Sequence, residues 1–150
     1  MRRRALALAA ALTAALALAG CGDGGSGTAE APKATGGPFP ATVKAADGPV
    51  TVSERPTKIV SLSPTATEML FAVDAGKQVS AVDELSNFPQ NAPRTKLSGF
   101  KPNADAIAEQ DPDLVVLSYD ANDVVASLRK LKIPVYLAPA ATTLDDSYKQ

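Results

Sequence analysis

The chain has 150 residues, with 15 basic and 16 acidic side chains, one cysteine, and neither histidine nor tryptophan. Without histidine a Ser-His-Asp triad is excluded within this chain, and a single cysteine builds neither an internal disulfide nor a zinc or copper cluster. The near-neutral balance supplies no basic surface for nucleic acid or anionic lipid.

Residues 1–20 read as a processing signal, to be set aside before fold is considered. Arg2, Arg3 and Arg4 form a basic start, and Ala5 to Ala19 is an apolar run broken only by Thr13. The run ends in Leu18-Ala19-Gly20-Cys21, the pattern of a lipobox with a small residue before the cysteine. A transmembrane anchor is the competing reading, yet at about 1.5 Å per residue the run falls short of the roughly 30 Å hydrocarbon core. An ordinary secretory signal needs no cysteine at the cut. The expectation is therefore acylation of Cys21, the only covalent group implied. Two-chain anchoring would hold the mature protein on the extracytoplasmic face of the cell membrane, or in a periplasm. The 15 basic residues less the three leader arginines leave 12 against 16 acidic, so the mature chain is mildly acidic.

Residues 21–40 follow the lipobox with Gly, Pro, Ser, Thr and Ala and little that is large enough to bury. This composition predicts a flexible tether. From residue 41 to residue 150 the pattern is that of a folded lobe. Ala41 to Lys44 and Val50 to Ser53 alternate apolar and polar about Ala46-Asp47-Gly48-Pro49, a β-hairpin signal.

Strand–helix units follow. Ile59 to Leu62 predicts a buried strand, and Ser63-Pro64-Thr65 a helix start, with Thr65 and Glu68 at capping-box spacing. Met69, Leu70, Ala72 and Val73 would form that helix's apolar face, and Gly76 its end. Val79 to Val82 is the second strand. A long polar stretch from Asp83 to Ser98 leads to a helix over about 103–110. Leu114 to Leu117 is the third strand, Asn122 to Leu131 a third helix, and Pro134 to Leu137 the fourth strand. Thr143 and Asp146 again have capping-box spacing, opening a helix from Leu144. This alternation predicts an α/β, Rossmann-like lobe: a four-stranded parallel sheet flanked by helices on both faces, preceded by a β-hairpin. Strand order is not legible.

In open α/β sheets ligands sit beyond the carboxyl ends of the strands. Three segments fall there: Ser61 to Thr67, Asp83 to Asn103, and Ser118 to Asp123. The first offers Ser63 and Thr65 at a helix N-terminus, where plain capping is the competing reading. It lacks the glycines of a dinucleotide fingerprint or P-loop. The second carries Phe88 and Phe100, which either meet a bulky, partly flat ligand or pin the loop to the lobe. The third carries Tyr119. Asp105, in a first helical turn, suits the helix dipole or a docking partner, and Asp113 suits a turn.

The series Ser61-Leu-Ser-Pro-Thr-Ala-Thr-Glu-Met-Leu, Ser86-Asn-Phe-Pro89, Leu97-Ser-Gly-Phe100, Asn103-Ala-Asp-Ala-Ile107 and Asp111-Pro-Asp-Leu-Val-Val116 resembles the iron-siderophore and cobalamin solute-binding proteins of ABC importers. The resemblance implies two α/β lobes joined by a long helix, with only the first lobe in this chain and the second absent. It implies a binding protein without catalysis or bound metal of its own. Its cargo would be a metal chelate (ferric siderophore, haem or cobalamin) and its partner an importer permease. Ser63, Thr65, Phe88, Phe100 and Tyr119 become ligand-cleft candidates in a monomer. Asp105 stands where the family carries a permease-docking glutamate, one methylene longer, and Leu85 where cobalamin binders carry an aromatic ring. The competing functions are a sensory or structural surface lipoprotein and a nucleotide-binding α/β enzyme.

Overall fold

The computed structural model describes residues 38–149. The leader, Cys21 and the tether as far as residue 37 lie outside the described residues. Strands β1 (Ala41–Ala45) and β2 (Gly48–Val52) pair antiparallel, from Ala41 opposite Val52 to Ala45 opposite Gly48. Gly48 leaves the turn at φ 131°, a conformation that a side chain resists. Ala45, Val50 and Val52 are buried, with Phe39, Leu114 and Tyr136 packed against them. Phe39 falls inside the expected tether. Its ring is half-buried on the hairpin, so packing starts at least that early.

Four parallel strands form the main sheet: β3 (Ile59–Leu62), β4 (Val79–Val82), β5 (Leu114–Leu117) and β6 (Val135–Leu137), in the spatial order β4-β3-β5-β6. Side chains alternate between faces along each strand. Val60, Leu62, Ala81, Val115, Leu117 and Val135 point to one face. There they meet Ile107 of α2 (Ala104–Ala108) and Val124, Val125 and Leu128 of α3 (Val124–Lys130). Several of these are fully buried, and each large side chain so placed is worth about 1.5–3 kcal/mol relative to exposure.

Helices lie on both faces, as expected, and the second face is covered only in part. Helix α1 (Pro64–Ala72) packs over one side, where Leu70 and Phe71 meet Val79 and Val82. The hairpin packs over Leu114 and Tyr136 on the other. Between them runs a groove of about 790 Å³ floored by Leu114 and Val116 and walled by Met69 and Val73. Of the apolar face expected of α1, Met69 stays 48% exposed and Val73 72%.

Helix boundaries follow the side chains that satisfy the terminal amides. Ser63, not Thr65, caps α1: it is extended (φ −154°, ψ 125°) and its Oγ accepts the Ala66 N–H at 3.4 Å, with Pro64 at the first helical position. Thr65 is thereby inside the helix, and the Thr65–Glu68 box has no end to cap. The chain leaves α1 through Asp74 at φ 62° rather than at Gly76. Gly76 instead makes room for a ring, since a Cβ there would lie 2.5 Å from Phe71 Cδ1. Asn103 caps α2 by accepting the Ala106 N–H at 2.9 Å. Helix α3 starts later than expected because Asn122 (φ 56°) and Asp123 (φ 52°) are left-handed, and the Asp120 carboxylate takes the Val125 N–H at 3.0 Å. Helix α4 (Leu144–Lys149) is capped by Thr143, whose Oγ1 accepts the Asp146 N–H at 3.1 Å. The Asp146 carboxylate accepts the Thr142 hydroxyl at 2.9 Å, and the Thr142 and Thr143 hydroxyls hold its pKa below the ordinary carboxylate value. No helix of the described residues is long and apolar enough to cross a membrane.

Candidate ligand-binding rim

Chain order reverses beside β3. From β3 the chain passes through α1 to β4 on one side, then returns through α2 to β5 on the other. Ligands of such sheets bind at this switch point, in the crevice outside the carboxyl ends of the strands. The segments that emerge there are the start of α1, the loop from Asp83 to Asn103, the Ser118–Asp123 turn and the chain after β6.

Large apolar side chains crowd this edge without being buried. Leu85 is 48% exposed, Phe88 60%, Phe100 69% and Tyr119 59%. The rings of Phe88 and Phe100 therefore do not pin the loop to the lobe. Exposed apolar side chains from several loops at one edge of a sheet suit an interaction site where they adjoin. Ser63 and Thr65 separate here. Ser63 is buried and committed to its cap, whereas Thr65 is exposed on the first turn of α1.

What holds the loop is polar and hidden. Asp83, Ser86, Thr67 and Ser61 are all at or below 1% exposure. Asp83 Oδ1 accepts the Ser86 N–H at 2.8 Å. The Thr67 hydroxyl donates to Ser61 Oγ at 2.9 Å, and Ser61 donates to the Ser63 carbonyl at 3.4 Å. Thr67 has one proton and has spent it, so Ser86 is the donor in the 3.0 Å contact between their hydroxyls. The result is a one-way chain from the loop, through α1, to the end of β3.

The far end of the same loop closes on the same carboxylate. A Cβ on Gly99 would lie 2.6 Å from Asp83 Oδ2 and 2.7 Å from the Leu62 carbonyl oxygen, so only glycine fits there. Between the two ends, Val82 takes its N–H to the Pro93 carbonyl at 2.9 Å and receives the Thr95 N–H at 3.0 Å, a parallel bridge beside β4. The Glu84 N–H reaches the Leu97 carbonyl at 2.9 Å. The long stretch is thus a folded platform. The sequence announces this network only through a serine inside the buried strand Ile59-Val-Ser-Leu62.

Asp105 is exposed on the first turn of α2, whose cap is Asn103. Among the described residues no group of three or more His, Cys, Asp or Glu is placed to hold a metal ion. The exposed pair in which both carboxyl and amine are perturbed lies at the opposite edge of the sheet. Lys58 Nζ and Asp111 Oδ2 are 2.6 Å apart, and their mutual hydrogen bond and attraction raise the lysine's pKa and lower the aspartate's.

Residues 59–150 match the sequence profile of the periplasmic binding protein family. The chain belongs to that family. A cobalamin-binding protein of Halobacterium salinarum is 32% identical over 113 residues, which are 71% of this chain and 31% of that one. An ABC transporter substrate-binding lipoprotein of Bacillus subtilis, itself uncharacterised, is 31% identical over 118 residues, 74% of this chain and 37% of that one. The chain thus spans about a third of the length of these relatives. The haem-binding protein HmuT superposes with a TM-score of 0.61 at 20% identity, covering 74% of this chain and 39% of that structure. A possible iron-binding periplasmic protein of Staphylococcus epidermidis gives 0.58 at 22%, covering 64% and 40%. At such identities the superpositions speak to fold: an α/β lobe with a parallel sheet and a leading hairpin.

Proposed function

We propose that this chain supplies one wall of a cleft that captures a metal chelate of the corrinoid, haem or ferric-siderophore class for an ABC importer. The observation that carries the reading is the exposed apolar rim of Leu85, Phe88, Phe100 and Tyr119 beside the β3/β5 switch point. Such ligands are broad and partly flat, and aromatic and aliphatic side chains with few polar groups suit them. Relatives named for binding cobalamin and vitamin B12, and a fold shared with haem- and iron-binding proteins, point the same way. In this reading the chain binds and does not catalyse, it acts as a monomer, and Asp105 faces the permease. Cys21 carries the lipid that anchors the chain outside the cytoplasm, with the residues after it as tether.

One wall of a cleft binds weakly, so the test must register weak contact. The polypeptide from residue 21 onward, with Cys21→Ser, would be labelled with nitrogen-15. It would then be titrated with cyanocobalamin, gallium protoporphyrin and gallium-loaded desferrioxamine. The expected result is saturable shifts of amides in 84–88, 99–101 and 118–121 with one of the three. Shifts confined to the groove between α1 and the hairpin, or none with any probe, would reject the reading. For the anchor, labelled fatty acid should enter the wild-type protein in a bacterial host and should not enter the Cys21→Ser variant.

A further inference from the structure

The polar chain under the rim is costly to build. Three hydroxyls and a carboxylate sit with at most 1% exposure, where a buried polar group without its partner destabilises the fold. Apolar side chains of matching size at positions 61, 67 and 86 would carry no such risk. What the polar version provides is direction. Hydrogen bonds fix the orientation of Ser86 through both its backbone and its side chain, whereas apolar packing constrains orientation less sharply.

Ser86 lies between the two exposed groups of this loop end, Leu85 before it and Phe88 two residues after it. Its amide is held by Asp83, at the end of β4, and its hydroxyl by Thr67, in the second turn of α1. Two elements that flank the switch point therefore grip one residue. The same Asp83 side chain leaves space only for glycine at position 99, which sets where Phe100 emerges. Both aromatic groups of the loop are thus referred to one carboxylate and one hydroxyl pair.

We propose that Asp83, Thr67 and Ser86 are positioning residues for ligand capture: none reaches the ligand, and together they fix the loop that presents Leu85, Phe88 and Phe100. This inference rests on the ligand-rim reading above. Ordering the loop before the ligand arrives removes an ordering cost from binding. Losing the Thr67–Ser86 bond should therefore weaken capture without unfolding the lobe.

The discriminating variants are Thr67→Val, which keeps shape and removes the hydroxyl, and Thr67→Ser, which keeps the hydroxyl. Ser86→Ala approaches the same bond from the loop side. Amide hydrogen exchange and the titrations with cyanocobalamin, gallium protoporphyrin and gallium desferrioxamine would be run on the residue 21–150 polypeptide. Ser86→Ala should speed exchange at residues 84–88 about fivefold to tenfold, the effect of one buried hydrogen bond, and Thr67→Val by at least as much, because it also removes the bond to Ser61. Exchange in β3 and β5 should move less. The dissociation constant of the responding probe should rise by a similar factor, and Thr67→Ser should stay within about twofold of wild type on the same scale. Unchanged exchange at 84–88 in both hydroxyl-deleted variants would overturn the proposal. So would faster exchange with unaltered affinity, which would make the network structural only. Failure of all three probes on the unmodified chain would instead reject the ligand-rim reading, an outcome visible before any variant is made.

Discussion

The Asp113 carboxylate accepts the Thr57 N–H at 2.7 Å and the Thr57 hydroxyl at 2.9 Å, joining residues 56 apart in sequence. It also receives the Lys58 N–H at 3.1 Å. These bonds tie the entry to β3 to the entry to β5, at the edge of the sheet opposite the rim. The edge these bonds hold and the proposed binding rim are therefore separable. Asp113→Ala removes three hydrogen bonds to a carboxylate at exposed positions and should cost about 1–3 kcal/mol in urea unfolding. Rim amides should respond to the probe ligand as in wild type. A variant as stable as wild type would show that the two strand entries hold together without this carboxylate.

The neighbouring Lys58–Asp111 pair gives a pH signature. Asp111 is lowered first by its hydrogen bond with Lys58 and then by that residue's charge, and Lys58 is raised by the same two causes. The lowered carboxyl contributes stability present above the ordinary 3.8 and lost as pH falls through its folded value. The raised amine contributes stability present below 10.5 and lost as pH rises through its own folded value. Both groups are exposed, the Lys58 side chain by 50% and that of Asp111 by 86%, so the effect is small and screened by salt. The melting temperature of wild type should exceed that of Asp111→Asn only between those limits, with the difference shrinking in 1 M salt. Asparagine suits the test because it tolerates the left-handed φ of 51° at this position. A difference that persists in acid, or in high salt, would assign it to the backbone.

Strand identity was legible because four short apolar runs separated by helix-length segments admit little else. Asp113 suits a turn by its type, but its carboxylate ties together the entries to β3 and β5, a contact between distant residues. Strand order was not legible, since register and neighbour choice depend on contacts between distant residues. Capping failed at α1 for a local reason: Ser63, Thr65 and Thr67 all precede or open the helix, and Pro64 lets Ser63 take the cap. Composition alone does not separate Thr67, buried in the network, from Thr65, exposed two residues earlier. The exposure of Phe88 and Phe100 depends on a buried scaffold of Asp83, Ser86 and Gly99, residues that individually read as ordinary loop. Leu85 lacks the ring that the resemblance to cobalamin binders implies, yet it is exposed as the rim aromatics are.

The rim aromatics should separate binding from stability. Phe88 and Phe100 are 60% and 69% exposed, so Phe88→Ala and Phe100→Ala should each shift unfolding by no more than about 0.5 kcal/mol. Each should weaken the response to the binding probe severalfold, and the double variant should abolish it. A loss of stability above about 2 kcal/mol in either single variant would mean that its ring is buried in solution.

Asp105 should act on the partner side alone. Its carboxylate is exposed in the first turn of α2, where an acid favours the helix by about 0.3–1 kcal/mol. Asp105→Asn removes the charge at that modest cost and leaves the rim untouched. Reconstituted with a cognate permease, the variant should bind it less well and show a weaker salt dependence, because a charge contact is missing. Equal association at low and high salt in both proteins would remove Asp105 from the docking surface.

The two faces of the sheet predict opposite tolerances. Leu128 of α3 is fully buried against the covered face, so Leu128→Ala should cost about 2–5 kcal/mol. Val73, at the end of α1, borders the groove and is 72% exposed. Val73→Lys places a cation near a helix C-terminus, where it is favoured, and should change stability by no more than about 0.5 kcal/mol. Met69→Lys, one turn earlier and 48% exposed, should be similarly tolerated, with its aliphatic stem lying along the groove wall. Urea midpoints of the three variants decide the matter. Destabilisation by Val73→Lys comparable to that of Leu128→Ala would show that this groove is covered in the folded protein, and that α1 packs against more than β3 and β4.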